Sequence, residues 1–226
     1  MKVLKSHSIF KGVFRNTLNS LWFDLRKFRA RLYNLFPKQN YNSKYLHLGC
    51  GNNKVVGWIN ADLTNSDVYI DLSYGNLPFT DGSMKSVVMQ HVIEHLSIEN
   101  DIIPLFKEIF RILELNGEIW LSCPDLEKVC KGYIEDKGHN LLLDRQKRYP
   151  KFSLNNIPVQ HIINDLFHQR GEHKNLFDGE LLIWALSTSG FTNCTIVNEE
   201  IFMKRFPEFP KRNDNYVSIY VKAIKQ

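Results

Sequence analysis

The 226-residue sequence lacks the features that mark a membrane-spanning or exported chain. It contains no run of 18 or more apolar residues, so it does not predict a helix that crosses a bilayer. Its first residues, MKVLKSHSIFKGVF, are interrupted by charges and lack the apolar stretch and small-residue cleavage site of a secretory signal. We therefore expect a cytoplasmic protein with a core of ordinary size.

Cysteine is scarce, and its spacing suits neither disulfides nor zinc. Cys50, Cys123, Cys130 and Cys194 form no C-x-x-C pair and have no histidine partner at metal-ligand spacing. We expect reduced and mostly buried thiols. Two histidines, His91 and His95, are four residues apart and would share a helix face, but no cluster of carboxylates accompanies them, so no metal site is predicted.

Acidic residues are nearly absent from the first 44 positions, which hold ten Lys or Arg and one acid, Asp24. The remaining positions hold 19 basic and 23 acidic residues, so the net charge of +5 comes from this first segment. Within it, residues 10–36 repeat apolar side chains every three or four positions, which predicts an amphipathic helix that ends at Pro37. We treat 1–43 as a basic helical extension.

Three interpretations of that helix follow from its two faces. It packs on the rest of the protein, or it lies at the inner membrane face, or it contacts nucleic acid. In the second interpretation the basic residues face anionic lipid, namely Arg15, Arg26, Lys27, Arg29 and Arg31. Nucleic acid is the least expected partner, because several large aromatic side chains favour burial over phosphate contact.

Beyond residue 44 the pattern changes to short β-prone runs that alternate with helical segments. Strands are predicted at 44–48, 57–62, 67–71, 86–90, 118–122, 194–198 and 216–223, and helices at about 99–115, closed by Asn116-Gly117, and at 178–189, capped by Asp178 and stopped by Gly190. This alternation predicts one α/β domain over 44–226, with a parallel sheet covered on both faces. Residues 124–177 have weaker periodicity and are interpreted as an insertion of short helices and loops that contacts the substrate.

A glycine loop and an acid give the first indication of a ligand. In LHLGCGNN at 46–53, two glycines allow the backbone to turn sharply and to approach a ligand closely. In GWINADL at 57–63, the second strand ends on Asp62, whose carboxylate suits a pair of sugar hydroxyls. Together they predict a nucleotide-like ligand.

These motifs resemble those of the class I S-adenosylmethionine-dependent methyltransferases, in particular the small type called methyltransferase domain 11. The resemblance is close over 44–123 and looser over 173–223, and it is carried by LHLGCG, Asp62, the turn at Asp71, LPFTDGS at 77–83, VVMQHVIEHL at 87–96 and LELNGEIWLSCP at 113–124. It implies a doubly wound, Rossmann-like seven-stranded sheet, mostly parallel with an antiparallel last strand, and S-adenosylmethionine as the cofactor.

The resemblance also implies roles for individual residues. Gly49 and Gly51 would pass under the methionine and ribose, Asp62 would accept hydrogen bonds from the ribose hydroxyls, and Gln90 and His91 would lie near the sulfonium. Asp71 would read the adenine amino group with Leu72 beside the ring, or would instead close an Asx turn. The complete predicted donor site is His47, Gly49, Cys50, Gly51, Asn52, Asp62, Leu63, Asp71, Leu72, Gln90 and His91.

Two histidines are candidates for roles in the reaction. His91 is a candidate base, although many methyl transfers need only in-line positioning. His173, in GEHKNLFDGELL, resembles a position that reaches the pocket in relatives; a capping or surface role is the alternative.

The sequence departs from the family in its first crossover. Only six residues separate Gly51 from Trp58, whereas a parallel crossover usually takes a dozen or more. The first helix is therefore expected to be missing or reduced to a turn.

The predicted function is transfer of a methyl group from S-adenosylmethionine to a small-molecule or carrier-linked acceptor. The alternative is a non-catalytic S-adenosylmethionine-binding protein of the same fold. A dinucleotide dehydrogenase is disfavoured, because the loop lacks G-x-G-x-x-G and a helix after it.

Overall fold

A mixed seven-stranded sheet is the centre of the fold. The computed structural model of the chain describes residues 15–35 and 41–226. Within these residues the strands are β1 (Tyr45–Leu48), β2 (Ile59–Asp62), β3 (Val68–Tyr69), β4 (Met84–Gln90), β5 (Leu113–Pro124), β6 (Thr192–Val197) and β7 (Ser218–Ile224). Their order is β3-β2-β1-β4-β5-β7-β6. The pairs from β3 to β5 are parallel and β7 is antiparallel to both of its neighbours, so the predicted fold class is confirmed.

α-Helices flank the sheet. They are α1 (Arg15–Asn34), α2 (Ile103–Ile112), α3 (Leu126–Asp136), α4 (His139–Arg148), α5 (His161–His168), α6 (Gly179–Thr188) and α7 (Glu199–Arg205). The helix predicted over 10–36 thus begins at Arg15 and ends at Asn34 among the described residues; positions 10–14, 36 and 37 lie outside them. None of the described helices is long and apolar enough to cross a bilayer.

Alternation along the central strands divides the core between the two faces of the sheet. In β4, Val87 and Met89 pack in the larger cluster with α2 and α6, whereas Val88 points to a second cluster on the other face. β5 alternates in the same way, with Trp120 on the second face. Both faces are buried, as the continuous apolar runs of these strands predict.

The second face is covered by aromatic side chains where a first helix would usually lie. Residues 49–58 join β1 to β2 without a helix, as the short spacing predicts. Trp58 instead packs edge-on against Phe206 and Phe209, with ring centroids 5.2 and 4.8 Å away. Phe202 of α7 joins this cluster, so α7 and the residues after it take over the covering role.

Several predicted boundaries are wrong. The helix expected over about 99–115 begins at Ile103, after one wide turn at 98–102, and ends at Ile112. Asn116-Gly117 does not close it, because Leu113 already pairs with Met84 as a strand residue. α7 was not predicted.

The four cysteines are free thiols. Cys130 is exposed and Cys194 is half-buried, while Cys50 and Cys123 are buried.

The side chain of Asn60 holds the short β1–β2 connection together. Its Oδ1 accepts a hydrogen bond from the backbone N–H of Val55 at 2.8 Å. Its Nδ2 donates to the carbonyl oxygens of Val55 and Trp58, both at 3.1 Å. One buried amide therefore satisfies backbone groups that a helix would otherwise satisfy internally.

We expect Asn60→Ala to lower the free energy of unfolding by about 2–4 kcal/mol, since each buried polar group left unpaired costs about 1–3 kcal/mol. Urea denaturation would measure the loss, with the exposed Asn76 as the matched control through Asn76→Ala. Equal midpoints for the two variants would contradict the role given to Asn60.

Candidate functional site

A cleft of about 690 Å³ runs along the carboxyl ends of the parallel strands. Asp71 after β3, Asp62 at the end of β2, Gly49 after β1 and His91 after β4 follow one another along this edge. The cleft therefore lies at the point where the connections from β1 and β4 diverge, where ligands bind in open α/β sheets. The predicted residues that line it are Gly49, Gly51, Asp62, Leu63, Asp71, Leu72 and His91.

The two glycines of the first loop serve different purposes. Both have positive φ, 69° at Gly49 and 52° at Gly51. A Cβ at Gly49 would lie 2.2 Å from Cγ2 of Val92, so this position must be glycine for the loops after β1 and β4 to pack. A Cβ at Gly51 would meet no described atom within 4 Å, so its glycine keeps space open in the cleft.

The carboxylate of Asp62 is held in a fixed orientation by the backbone. Its Oδ2 accepts a hydrogen bond from the N–H of Gly51 at 2.8 Å, and its Oδ1 accepts one from the N–H of Leu63 at 2.6 Å. Each oxygen keeps a further lone pair. The middle of the cleft thus contains two oriented acceptors.

Asp71 is almost completely buried and its two oxygens are already engaged. Oδ1 accepts hydrogen bonds from the N–H and hydroxyl of Ser73, and Oδ2 accepts one from Nε of Arg31 at 2.8 Å. The hydrogen bond from the N–H of Ser73 closes an Asx turn, which was the alternative role predicted for Asp71. Arg31 belongs to α1, so this acid also ties the N-terminal helix to the cleft.

One side of α1 packs against the edge of the sheet and the cleft. Ala30 is fully buried, and the ring of Tyr33 lies 5.6 Å from that of Tyr69 in β3. Phe23 and Lys27 line the cleft. The described part of the helix therefore forms a wall of the site.

His91 is held between two carboxylates in a left-handed backbone conformation with φ 55°. Its Nε2 lies 2.8 Å from Oδ2 of Asp214 and its Nδ1 lies 3.3 Å from Oε1 of Glu94. Burial disfavours the charged imidazole, but the hydrogen bonds to Asp214 and Glu94 outweigh it and raise the pKa of His91. Burial also opposes ionisation of Asp214, yet the contacts with His91 lower its pKa.

Both ring nitrogens of His91 face carboxylate oxygens, so neither is available to take an acceptor's proton unless one of these contacts breaks. Its role as a base stays a prediction.

The other predicted residues lie outside the lining of the cleft. His47 is buried in β1 with its ring 4.8 Å from that of Phe209, and burial lowers its pKa to about 4. The thiol of Cys50 is buried, which raises its pKa to about 11. Gln90 is the buried last residue of β4, and Asn52 is exposed in the turn after the glycine loop.

The far end of the cleft contains residues that sequence reasoning did not assign to it. His95, Glu172 and Lys174 line it beside His91. His173 lies just behind, 5.0 Å from the ring of His95. The backbone N–H of Lys174 donates to the carbonyl of Glu94, which joins the segment after α5 to the turn after β4. The segments 91–95 and 171–174 could each be singled out in the sequence. Their contact could not be predicted, because they are far apart along the chain.

Residues 46–121 match the family model described as Methyltransferase domain. This match covers both glycines, Asp62, Asp71 and His91. That part of the chain is therefore similar to the methyltransferase domain family, whose methyl donor is S-adenosylmethionine.

The solved structures that resemble the chain include S-adenosylmethionine-dependent methyltransferases. The chain is 17% identical to an S-adenosylmethionine-dependent methyltransferase from Archaeoglobus fulgidus, with 89% of this chain and 94% of that one covered and a TM-score of 0.46. It is 15% identical to one from Thermotoga maritima, with 94% and 98% covered and a TM-score of 0.47. A third, phosphoethanolamine N-methyltransferase 2 from Haemonchus contortus with S-adenosylmethionine, is 14% identical, with 88% and 52% covered and a TM-score of 0.43. No curated protein matches the chain.

Proposed function

We propose that the protein is an S-adenosylmethionine-dependent methyltransferase that uses the described cleft to transfer the methyl group to a small-molecule or carrier-linked acceptor, which enters at the end bounded by His95, Glu172 and Lys174. The observation that carries the proposal is the carboxylate of Asp62, fixed in mid-cleft by two backbone N–H groups. A vicinal diol offers two donors to such a pair of oriented acceptors. The ribose of the donor is that diol.

With the ribose at Asp62, the methionine and the adenine of the donor would extend in opposite directions along the strand ends. Gly49 and Gly51 would lie under the methionine, and the sulfonium would point toward His91. In the other direction the adenine would lie between Leu72 and the wall formed by α1. The hydrogen bonds from Ser73 and Arg31 leave Asp71 limited capacity for the adenine amino group, so apolar contact with Leu72 carries more of this recognition.

The acceptor end is built mainly by the segment after α5, within the predicted insertion at 124–177. Glu172 and Lys174 offer charges of both signs there. Methyl transfer from a sulfonium needs the nucleophile in line with the S–CH₃ bond, and positioning supplies much of the rate. We assign His91 the positioning of this end, because its two carboxylate contacts fix the loop after β4.

We expect Asp62→Asn to weaken binding of S-adenosylmethionine and S-adenosylhomocysteine by about 1–3 kcal/mol, or roughly 5- to 150-fold in Kd. The losses should be similar, because both molecules contain the ribose. Calorimetric titration would measure them. Asp81→Asn is the matched control, since Asp81 is 81% exposed and precedes β4 at the opposite edge of the sheet. Unchanged affinity in a folded Asp62→Asn variant would remove Asp62 from the site.

A pair of glycine variants tests the position of the donor in the loop. Gly51 and Gly57 both have positive φ and no atom within 4 Å of an added Cβ, but only Gly51 lines the cleft. We expect Gly51→Val to abolish donor binding and Gly57→Val to retain it, with similar backbone strain in both. Thermal melts would compare stability and calorimetry would compare binding. Equal donor affinity in the two variants would contradict the proposed placement.

The second face of α1 supports peripheral membrane contact at the inner face of the membrane. Large apolar side chains are exposed along the described helix, among them Trp22, Leu25, Phe28 and Leu32. The exposed Arg26 accompanies them. Three other cations predicted to face lipid turn toward the protein instead: Arg29 lies over the ring of Tyr69, Lys27 lines the cleft and Arg31 pairs with Asp71. An apolar stripe with a flanking cation suits an anionic lipid surface. We propose that α1 rests on such a surface while its other side closes the cleft.

Vesicle sedimentation tests this contact. We expect more binding to anionic than to neutral vesicles, and less at high salt, because each basic residue near an anionic surface contributes about 1 kcal/mol. The double variant Leu25→Gln, Phe28→Gln should bind more weakly, since it keeps the charge but loses apolar burial. Leu115→Gln with Ile134→Gln is the control, because these side chains are even more exposed but lie on other elements. Absence of wild-type binding at low salt would contradict the contact.

A further inference from the structure

Three side chains with metal-binding atoms converge behind the acceptor end of the cleft. Glu94 and His95 lie in the turn after β4, and His173 follows α5. One carboxylate oxygen of Glu94 and one ring nitrogen of each histidine all lie within 4.8 Å of one another. No other group of three or more such residues converges in this way within the part of the chain that the structure describes.

Both histidines are oriented as metal-binding histidines usually are. Nδ1 of His95 lies 3.1 Å from the carbonyl oxygen of Glu172, and Nδ1 of His173 lies 3.1 Å from the carbonyl oxygen of Leu166. A carbonyl only accepts, so each Nδ1 donates its proton. This leaves a lone pair on Nε2 of each ring, with the tautomer fixed by a backbone contact.

Two atoms of the cluster are buried without a hydrogen-bond partner among the described residues. They are Oε2 of Glu94 and Nε2 of His173. Glu94 is only 1% exposed, and its other oxygen is turned toward His91. A buried carboxylate oxygen and a buried imidazole lone pair both need a hydrogen-bond donor or a cation as partner, and the two residues contribute ligand atoms to one cluster within 4.8 Å.

We propose that Glu94, His95 and His173 bind one divalent transition-metal ion, of which Zn²⁺ is the leading candidate. Two imidazoles and one carboxylate suit zinc and its neighbours in the first transition series, whereas Mg²⁺ and Ca²⁺ prefer sets of oxygen ligands. Metal–ligand bonds of about 2.1 Å at tetrahedral angles place the ligand atoms about 3.4 Å apart, so the cluster contracts on loading. This proposal replaces the expectation from the sequence that the chain has no metal site.

The position of the ion gives it two consequences. It joins the turn after β4 to the segment after α5, which carries Glu172 and Lys174 into the cleft. Three protein ligands also leave a fourth position open, and His95 borders the cleft. An acceptor bound as in the function proposed above, on which this second consequence alone rests, could occupy that position.

Metal binding by the full-length, tag-free protein tests the site without any methyl donor. The protein would be stripped with a chelator, titrated with Zn²⁺ and Co²⁺, and examined by elemental analysis and by the visible absorption of tetrahedral Co²⁺. We expect one ion per chain and a higher melting temperature after loading. His95→Ala and His173→Ala should each weaken binding by more than the roughly 10- to 100-fold that loss of an outer-shell contact causes.

His139→Ala is the matched control, because His139 is exposed and lies outside the cluster. Circular dichroism of the stripped proteins shows whether each variant is folded, and His95→Ala guards against a folding failure because this side chain is partly exposed. Wild-type protein that binds no more metal than a folded His95→Ala variant would overturn the proposal and favour a direct hydrogen bond between Glu94 and a protonated His173. Donor affinity, titrated separately, distinguishes this result from a failure of the proposed function.

Discussion

The pairing of His91 with two buried carboxylates organises the floor of the cleft. Each of these charges would be costly to bury alone, and the cost is offset only where all of them are paired. Asp214 meets this condition through His91, Arg212 and the hydroxyl of Tyr220. The network therefore locks the loop after β4 to β7 and to the loop before it. It also turns one oxygen of Glu94 toward His91, while the other has no hydrogen-bond partner among the described residues.

The short connection between β1 and β2 shapes the opposite face of the sheet. Without a helix there, the backbone needs another source of hydrogen bonds, which Asn60 provides, and the sheet needs another cover, which Trp58 and the aromatic residues around α7 provide. His47 is buried under this cover against Phe209. His47, predicted to belong to the donor site, thus belongs to the packing of the second face rather than to the lining of the cleft.

The sequence was sufficient for features determined by neighbouring residues. Apolar runs bounded by turn residues located the strands, and the count from Gly51 to Trp58 excluded a crossover helix. α7 escaped prediction because it is short and its burial depends on Phe206 and Phe209, which lie beyond its end. The partners of the site residues also lie far along the chain: Arg31 is 40 positions from Asp71, and Asp214 is 123 from His91. Such contacts depend on tertiary folding, which no local pattern encodes.

The N-terminal helix α1 has one side in the cleft wall and another exposed to solvent. Its inner side supplies Arg31 to Asp71 and places Phe23 and Lys27 in the cleft wall, while its outer side exposes an apolar stripe. Any movement of α1 on a lipid surface would change the wall of the donor site, and donor binding would in turn favour one position of α1. Coupling of this kind is reciprocal by thermodynamic necessity. If α1 rests on lipid as proposed, lipid contact and donor affinity would be two equilibria that act on one helix, with the Arg31–Asp71 pair as the direct connection between them.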